Sequence, residues 1–157
     1  MLFRSSLIER GSLRLSDPVF GRQGILGNAY GRPPEASRLD EITIDHLLTH
    51  TAGGWTNDRY DPMFQQPRLD HAELIAWTLK NQPLRSPPGA TYAYSNFGYC
   101  LLGRVIEKVT GQPYETYVRE TVLRRAGIRD MTIAGNTLAE RQPRRSEERR
   151  VGKECRL

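Results

Sequence analysis

The chain has 157 residues and a mass of 17.9 kDa, enough for one domain with a real core. Hydrophobic residues make up 38% and mean hydropathy is -0.60; the composition is not that of a disordered chain, and the longest uncharged run, Ser86 to Gly103, is interrupted by Pro87, Pro88, Ser95 and Asn96 and is no membrane span. The net charge of +5 collects in residues 141–157, where seven Lys and Arg face three Asp and Glu; the body is nearly neutral, and a basic tail alone does not mark a nucleic-acid binder. No apolar secretory leader opens the sequence, and Cys100 and Cys155 make no disulfide framework.

In chain order, Leu2, Phe3, Leu7 and Ile8 follow a helical pattern that Gly11 closes, so the chain begins in or near the end of a helix. Ser12 to Val19 reads as extended, with a turn at Asp17-Pro18, and residues 21–41 read as a long surface loop. Thr43 suits the N-cap of a short helix carrying Ile44, Leu47 and Leu48, stopped by Gly53-Gly54. Residues 55–69 are irregular. Asp70 and Glu73 form a capping-box pair ahead of a stripe of Leu74, Ile75, Thr78 and Leu79. Pro83, Pro87, Pro88 and Gly89 mark a turn-rich connection. The strongest helix follows Asn96, with Leu102, Val105, Ile106 and Val109 at helical spacing and Gly111 as its stop. Pro113 opens another helix that turns Tyr114, Tyr117 and Val118 inward and ends at Ala126-Gly127-Ile128. Strand signals are confined to Thr91–Tyr94 and Met131–Ile133. The charged, apolar-poor stretch 141–157 is expected to be a basic disordered tail, and a non-native one, leaving residues 1–140 as the domain.

Tyr94-Ser95-Asn96 lies where an extended segment meets a helix start, a junction that presents side chains and free N–H groups to a cleft. On the tripeptide alone the blander reading, a buried Tyr94 with Asn96 as the helix N-cap, is favoured. Its context alters that. Pro87 to Tyr114, with Tyr94-Ser95-Asn96 inside it, resembles the second-motif region of the serine β-lactamase and penicillin-binding protein superfamily, in the branch of class C β-lactamases, D-Ala-D-Ala carboxypeptidases and family VIII esterases. Leu7 to Val19 resembles the segment that follows that family's nucleophile helix. Ile42 to Gly53 resembles its helix and turn with His-x-x-x-His, and Ala126 to Thr132 a later Leu-Gly-Met-x-x-Thr piece.

The resemblance implies an α+β, β-lactamase/transpeptidase-like fold, of which this part is mostly helical with a few short strands. It implies acyl transfer on a β-lactam, ester or D-Ala peptide, with a Ser-x-x-Lys serine as nucleophile. By the same likeness Tyr94 relays the proton and Asn96 orients the substrate and the lysine, while Ser95 is a spacer or a cap. No serine of this sequence has lysine three residues later, and Lys108-Val-Thr-Gly111 has one residue too many for the closing strand motif and lies at a helix end. The expectation is therefore an internal fragment, inactive by itself, whose nucleophile sits about two helical turns before Met1. Without the cations of those other segments, Tyr94 is expected to be no base at neutral pH. Apolar helix faces meant for the absent sheet are expected to be exposed.

His46 and His50 stand four apart and would share a helix face as metal ligands do, but Leu47 occupies the place of a metalloprotease glutamate; they read as structural histidines bracing the turn after the helix, and no metal or other cofactor is expected. Trp55 and Trp77 read as packing residues, Cys100 as a buried thiol. Tyr92 and Tyr99 either line the cleft or pack. The expected partner is a small-molecule or peptidoglycan-like substrate, not nucleic acid. The alternative is a non-catalytic module that binds penicillin or peptidoglycan.

Overall fold

A computed structural model describes residues 7–32, 34 and 37–131. Residues 7–9 are helical. Gly11, at a φ of 70°, lets its own N–H reach Ile8 O and the Ser12 N–H reach Leu7 O, which closes the helix as the glycine predicts. Leu2 and Phe3 lie outside the described residues.

The segment 13–45 is a web of single contacts. The Val19 N–H donates to Ile42 O and the Leu26 N–H donates to Val19 O, with isolated bridges at Pro18–Thr43 and Phe20–Gly27. The predicted turn comes earlier than Pro18: the Asp17 side chain accepts the Arg14 N–H, and the Asp17 N–H reaches back to Arg14 O. Residues 21–41 are more than a surface loop, because Leu26 and Leu39 are buried in the core and Leu39–Glu41 form a 3-10 turn.

Helix α1, Ile44–Leu48, is capped at Thr43 as expected; the His46 N–H donates to Thr43 Oγ1 and the Thr43 N–H donates to His46 Nδ1. Two more of its otherwise unpaired first-turn N–H groups, those of Ile44 and Asp45, donate to Asp17 O and Leu15 O. It ends at Leu48, well short of Gly53-Gly54. Within the supposedly irregular 55–69 stands α2, Pro62–Gln65, with Asp61 as its N-cap. Helix α3, His71–Asn81, carries the predicted Asp70–Glu73 box, and its predicted stripe of Leu74, Ile75, Thr78 and Leu79 is buried. Helix α4, Asn96–Thr110, starts from Ser95, not Asn96: the Gly98 N–H donates to Ser95 Oγ at 3.0 Å. Gly111, at a φ of 67°, ends it. Helix α5, Tyr114–Tyr117, runs into a π-helical turn, Val118–Leu123, that the sequence did not announce, and Gly127 closes the element.

Helix α4 is the centre of the core. Phe97, Leu101, Leu102, Val105 and Ile106 are buried along one face, against which α1, α2 and α5 pack. The exposed large apolar side chains, Leu15, Tyr60, Phe64, Tyr92, Tyr94 and Met131, belong to loops and to the four-residue α2. The expectation of bare apolar faces is thus overturned for α3 and α4. Thr91–Tyr94 forms no strand, and the described residues are mostly helical with two isolated bridges. Met131–Ile133 lies outside the described residues beyond Met131, as does the tail. No helix among the described residues is long and apolar enough to cross a membrane.

Candidate active site

The site is built where the loop after α1 meets the approach to α4. His50 has a φ of 58° and stands outside the helix that carries His46, so the two imidazoles do not share a helix face. Its backbone and ring grip one short segment together. The Ala93 N–H donates to His50 O at 2.8 Å, and the Ser95 N–H donates to His50 Nδ1 at 3.2 Å. The imidazole takes the Ser95 N–H and the His50 carbonyl the Ala93 N–H, so these donors are satisfied without a strand ladder. The His50 ring also lies 4.8 Å from Tyr99, stacked at 11°, and 4.5 Å from Tyr94 at 42°, with Tyr92 edge-on at 5.9 Å. Tyr99 and Tyr92 divide the two roles left open for them: Tyr99 packs and Tyr92 stands largely in the open.

Tyr94 is 49% exposed, which removes the reading of it as a buried tyrosine. Its ring rests on His50, while its carbonyl accepts the Asn57 N–H at 2.8 Å. Because Ser95 takes the cap, the Asn96 side chain is released from that duty. Its Nδ2 donates to Asn57 Oδ1 at 3.0 Å and to Asp61 Oδ2 at 3.3 Å. Asp61 is wholly buried, and its other oxygen accepts the Met63 N–H at 2.8 Å. Tyr94 and Asn96 thus flank the capping Ser95 at the N-terminal end of α4, with one ring half in solvent and one amide anchored.

Two glycines shape the walls. At Gly53, with φ at 93°, a Cβ would stand 2.2 Å from Ser86 O. At Gly89, with φ at 84°, it would stand 3.2 Å from His46 Nε2. His46 therefore braces the 87–90 turn, whose Gly89 N–H donates to Thr51 O. Both histidines have structural contacts, and among the described residues no group of three or more His, Cys, Asp or Glu is arranged to hold a metal ion.

A family model described as Beta-lactamase matches residues 3–156. The chain belongs to the Beta-lactamase family. It is 35% identical over 93 residues to a putative D-alanyl-D-alanine carboxypeptidase of Escherichia coli K12, a match covering 55% of this chain and 20% of that protein. Among solved structures it resembles the penicillin binding protein from Bacillus halodurans, with a TM-score of 0.61 and 29% identity over 87% of this chain and 40% of that one. A D-stereospecific amidohydrolase from Streptomyces sp. gives a TM-score of 0.61 and 28% identity, covering 85% of this chain and 41% of that one. The chain spans about a fifth of the length of the curated carboxypeptidases it matches. The fold of these neighbours is β-lactamase/transpeptidase-like, as the sequence motifs implied.

Other polar features of this β-lactamase-family chain lie to the side of Tyr94 and Asn96. A cleft of about 430 Å³ is lined by Trp55, Thr56, Tyr60, Trp77, Gln82 and Arg85, and neither Tyr94 nor Asn96 lines it. Two of its lining residues are engaged internally: Gln82 Nε2 donates to Tyr60 O and Gln65 Oε1, and the Trp55 indole N–H donates to Gln82 O. Trp55 is buried, as a packing residue should be, while Trp77 is only partly covered. Burial pushes the Cys100 thiol above its ordinary range, with Arg104 partly opposing the shift. Sequence reasoning missed Asn57 and Asp61 altogether. They stand 39 and 35 residues from Asn96, and nothing local to either announces the contact.

Proposed function

We propose that this chain supplies the proton-relay wall of a serine hydrolase that works by acyl transfer on a β-lactam, an ester or a D-Ala peptide. The observation that carries this is the pairing at the start of α4 of a half-exposed Tyr94, its ring against His50, with an anchored Asn96. In such an enzyme a serine hydroxyl attacks the carbonyl, its proton passes to a base, and the base returns a proton to the leaving group. Tyr94 Oη serves as that base when cations brought by other parts of the protein stabilise its phenolate, and Asn96 orients substrate. The names of the carboxypeptidase and amidohydrolase relatives favour a D-amino acid amide as substrate class.

In this reading the whole domain is α+β. Residues 1–140 are read as a partial domain of that family and residues 141–157 as a non-native tail. The chain by itself does not turn over, since it has no Ser-x-x-Lys. A fluorophosphonate or labelled penicillin is expected to leave the 157-residue chain unlabelled. Stable labelling of any serine in this chain overturns the reading.

A further inference from the structure

We propose that the cleft between the end of α3 and the 55–65 loop is a second binding site, and that its ligand is an aromatic carboxylate whose acid group meets Arg85 and whose ring lies against Trp77 over a base of Trp55. The proposal stands apart from the acyl-transfer reading, because neither Tyr94 nor Asn96 lines this cleft.

The cleft holds about 430 Å³, within the range of roughly 300–1,000 Å³ common to small-molecule sites. Trp55 is buried at its base. The indole N–H donates to Gln82 O at 3.2 Å, and the ring stands edge to face with Phe97 at 5.1 Å and 73°. Trp77 is partly covered and Tyr60 is exposed, so both present ring surface to whatever enters. Two ties fix the sides relative to one another. Gln82 Nε2 donates to Tyr60 O at 3.1 Å and to Gln65 Oε1 at 2.8 Å, and the Arg85 N–H donates to Gly53 O at 2.8 Å. The walls are thus set before any ligand arrives, which lowers the cost of binding.

Charge decides what an aromatic cleft takes. Arg85 lines it, with its guanidinium carbon 4.6 Å from the Tyr60 ring centroid, and the guanidinium carbon of Arg59 lies 4.7 Å from the same centroid. A guanidinium over a ring face is held there while its N–H edge stays available, and that edge matches the two oxygens of a carboxylate. Among the described residues neither arginine forms an ion pair. Asp58 feels both of them, yet its oxygens already accept from Thr56 Oγ1 and from the Tyr60 N–H, each at 2.7 Å. A cationic ligand would meet two positive charges, and a neutral ring would leave Arg85 without a counter-charge. An aromatic acid suits both the indole wall and the guanidinium. Water alone also satisfies a surface arginine, so the test asks whether ring and charge count together.

The test uses the whole 157-residue chain, whose two tryptophans give two indole N–H signals in NMR, the one lost in Trp77→Phe being that of Trp77. Three probes are titrated: 2-naphthoate, 2-naphthamide, which keeps the rings without the charge, and acetate, which keeps the charge without the rings. Naphthoate is expected to move both indole signals and to bind about fivefold tighter than the amide, while acetate moves neither. In Arg85→Gln the acid should weaken to the affinity of the amide, and the amide should bind as before. Naphthoate that leaves both indoles unmoved, or that binds no tighter than the amide or than acetate, overturns the proposal in the unaltered chain, with no variant needed. A naphthoate response confined to the Tyr92 and Tyr94 ring signals overturns it too, since the acid would then sit at the candidate active site. Full preference for the acid in Arg85→Gln overturns the part given to Arg85.

Discussion

Helix α4 and the loop that faces its first turn, residues 49–61, are held in place by opposite means. In α4 a stripe of apolar side chains is buried along one face, the backbone satisfies itself, and no single polar contact is indispensable. In the loop, His50 and Trp55 have positive φ, Gly53 sits where no other residue fits, and the backbone groups of His50 and Asn57 reach across to 93 and 94. A helix repeats one solution, so it tolerates change at many positions. The loop solves each position separately, and each solution depends on a partner far away in sequence. The candidate site is assembled at the join, where the regular element supplies rigidity and the irregular one supplies orientation.

The comparison can be broken first at Gly53. Gly53→Ala is expected to cost about 3 kcal/mol or more in chemical denaturation, because a Cβ meets Ser86 O and the positive φ is strained as well. Leu101→Ala in α4, a far larger change in volume, should cost a similar 2 to 5 kcal/mol or so through its cavity. A loop that absorbed Gly53→Ala without loss would show that its shape is not imposed by that contact.

His50→Ala is expected to cost about 1 to 3 kcal/mol, as the Ser95 N–H loses its acceptor and Tyr94 its ring support. The Tyr94 ring signals should shift in NMR while those of Val105 and Ile106 hold still; movement along the whole of α4 would mean that the two regions are not separable. Ser95→Ala removes the cap and should cost about 1 kcal/mol, with the loss seen as fraying at 96–98 by hydrogen exchange.

The smallest effect concerns pH and belongs to the helix alone. The Cys100 thiol is raised by burial, so the unfolded chain gives up this proton at lower pH than the folded one. Stability from this group is present below the ordinary thiol value and falls as pH rises through and past it. Cys100→Ser should flatten that alkaline decline in a denaturation series, and thiol modification of the folded chain should lag behind that of the unfolded chain at the same pH.

What the sequence conveyed follows the same division. The Asp70–Glu73 box, the stripe of α3, the apolar face of α4 and the stops at Gly11 and Gly111 were legible because each rests on residues within one or two turns of each other. The family was legible from several short motifs in order, which together locate Tyr94 and Asn96 without any contact being known. Where local cues competed, the sequence left the choice open. Both Ser95 and Asn96 are good caps, and only the fold assigns the cap to Ser95 and frees the Asn96 amide for Asn57 and Asp61. Thr91–Tyr94 has the residues of a strand, yet its hydrogen bonds go to His50 and Asn57. The sequence by itself therefore determined the long helices, the start of α3, the stop of α4 and the family. Tertiary structure alone decided which way the Asn96 amide faces, what supports the Tyr94 ring and why 91–94 is not a strand. Periodicity and capping are short-range and repeat along the chain, whereas an amide held by a carboxylate 35 residues away leaves no trace near either residue.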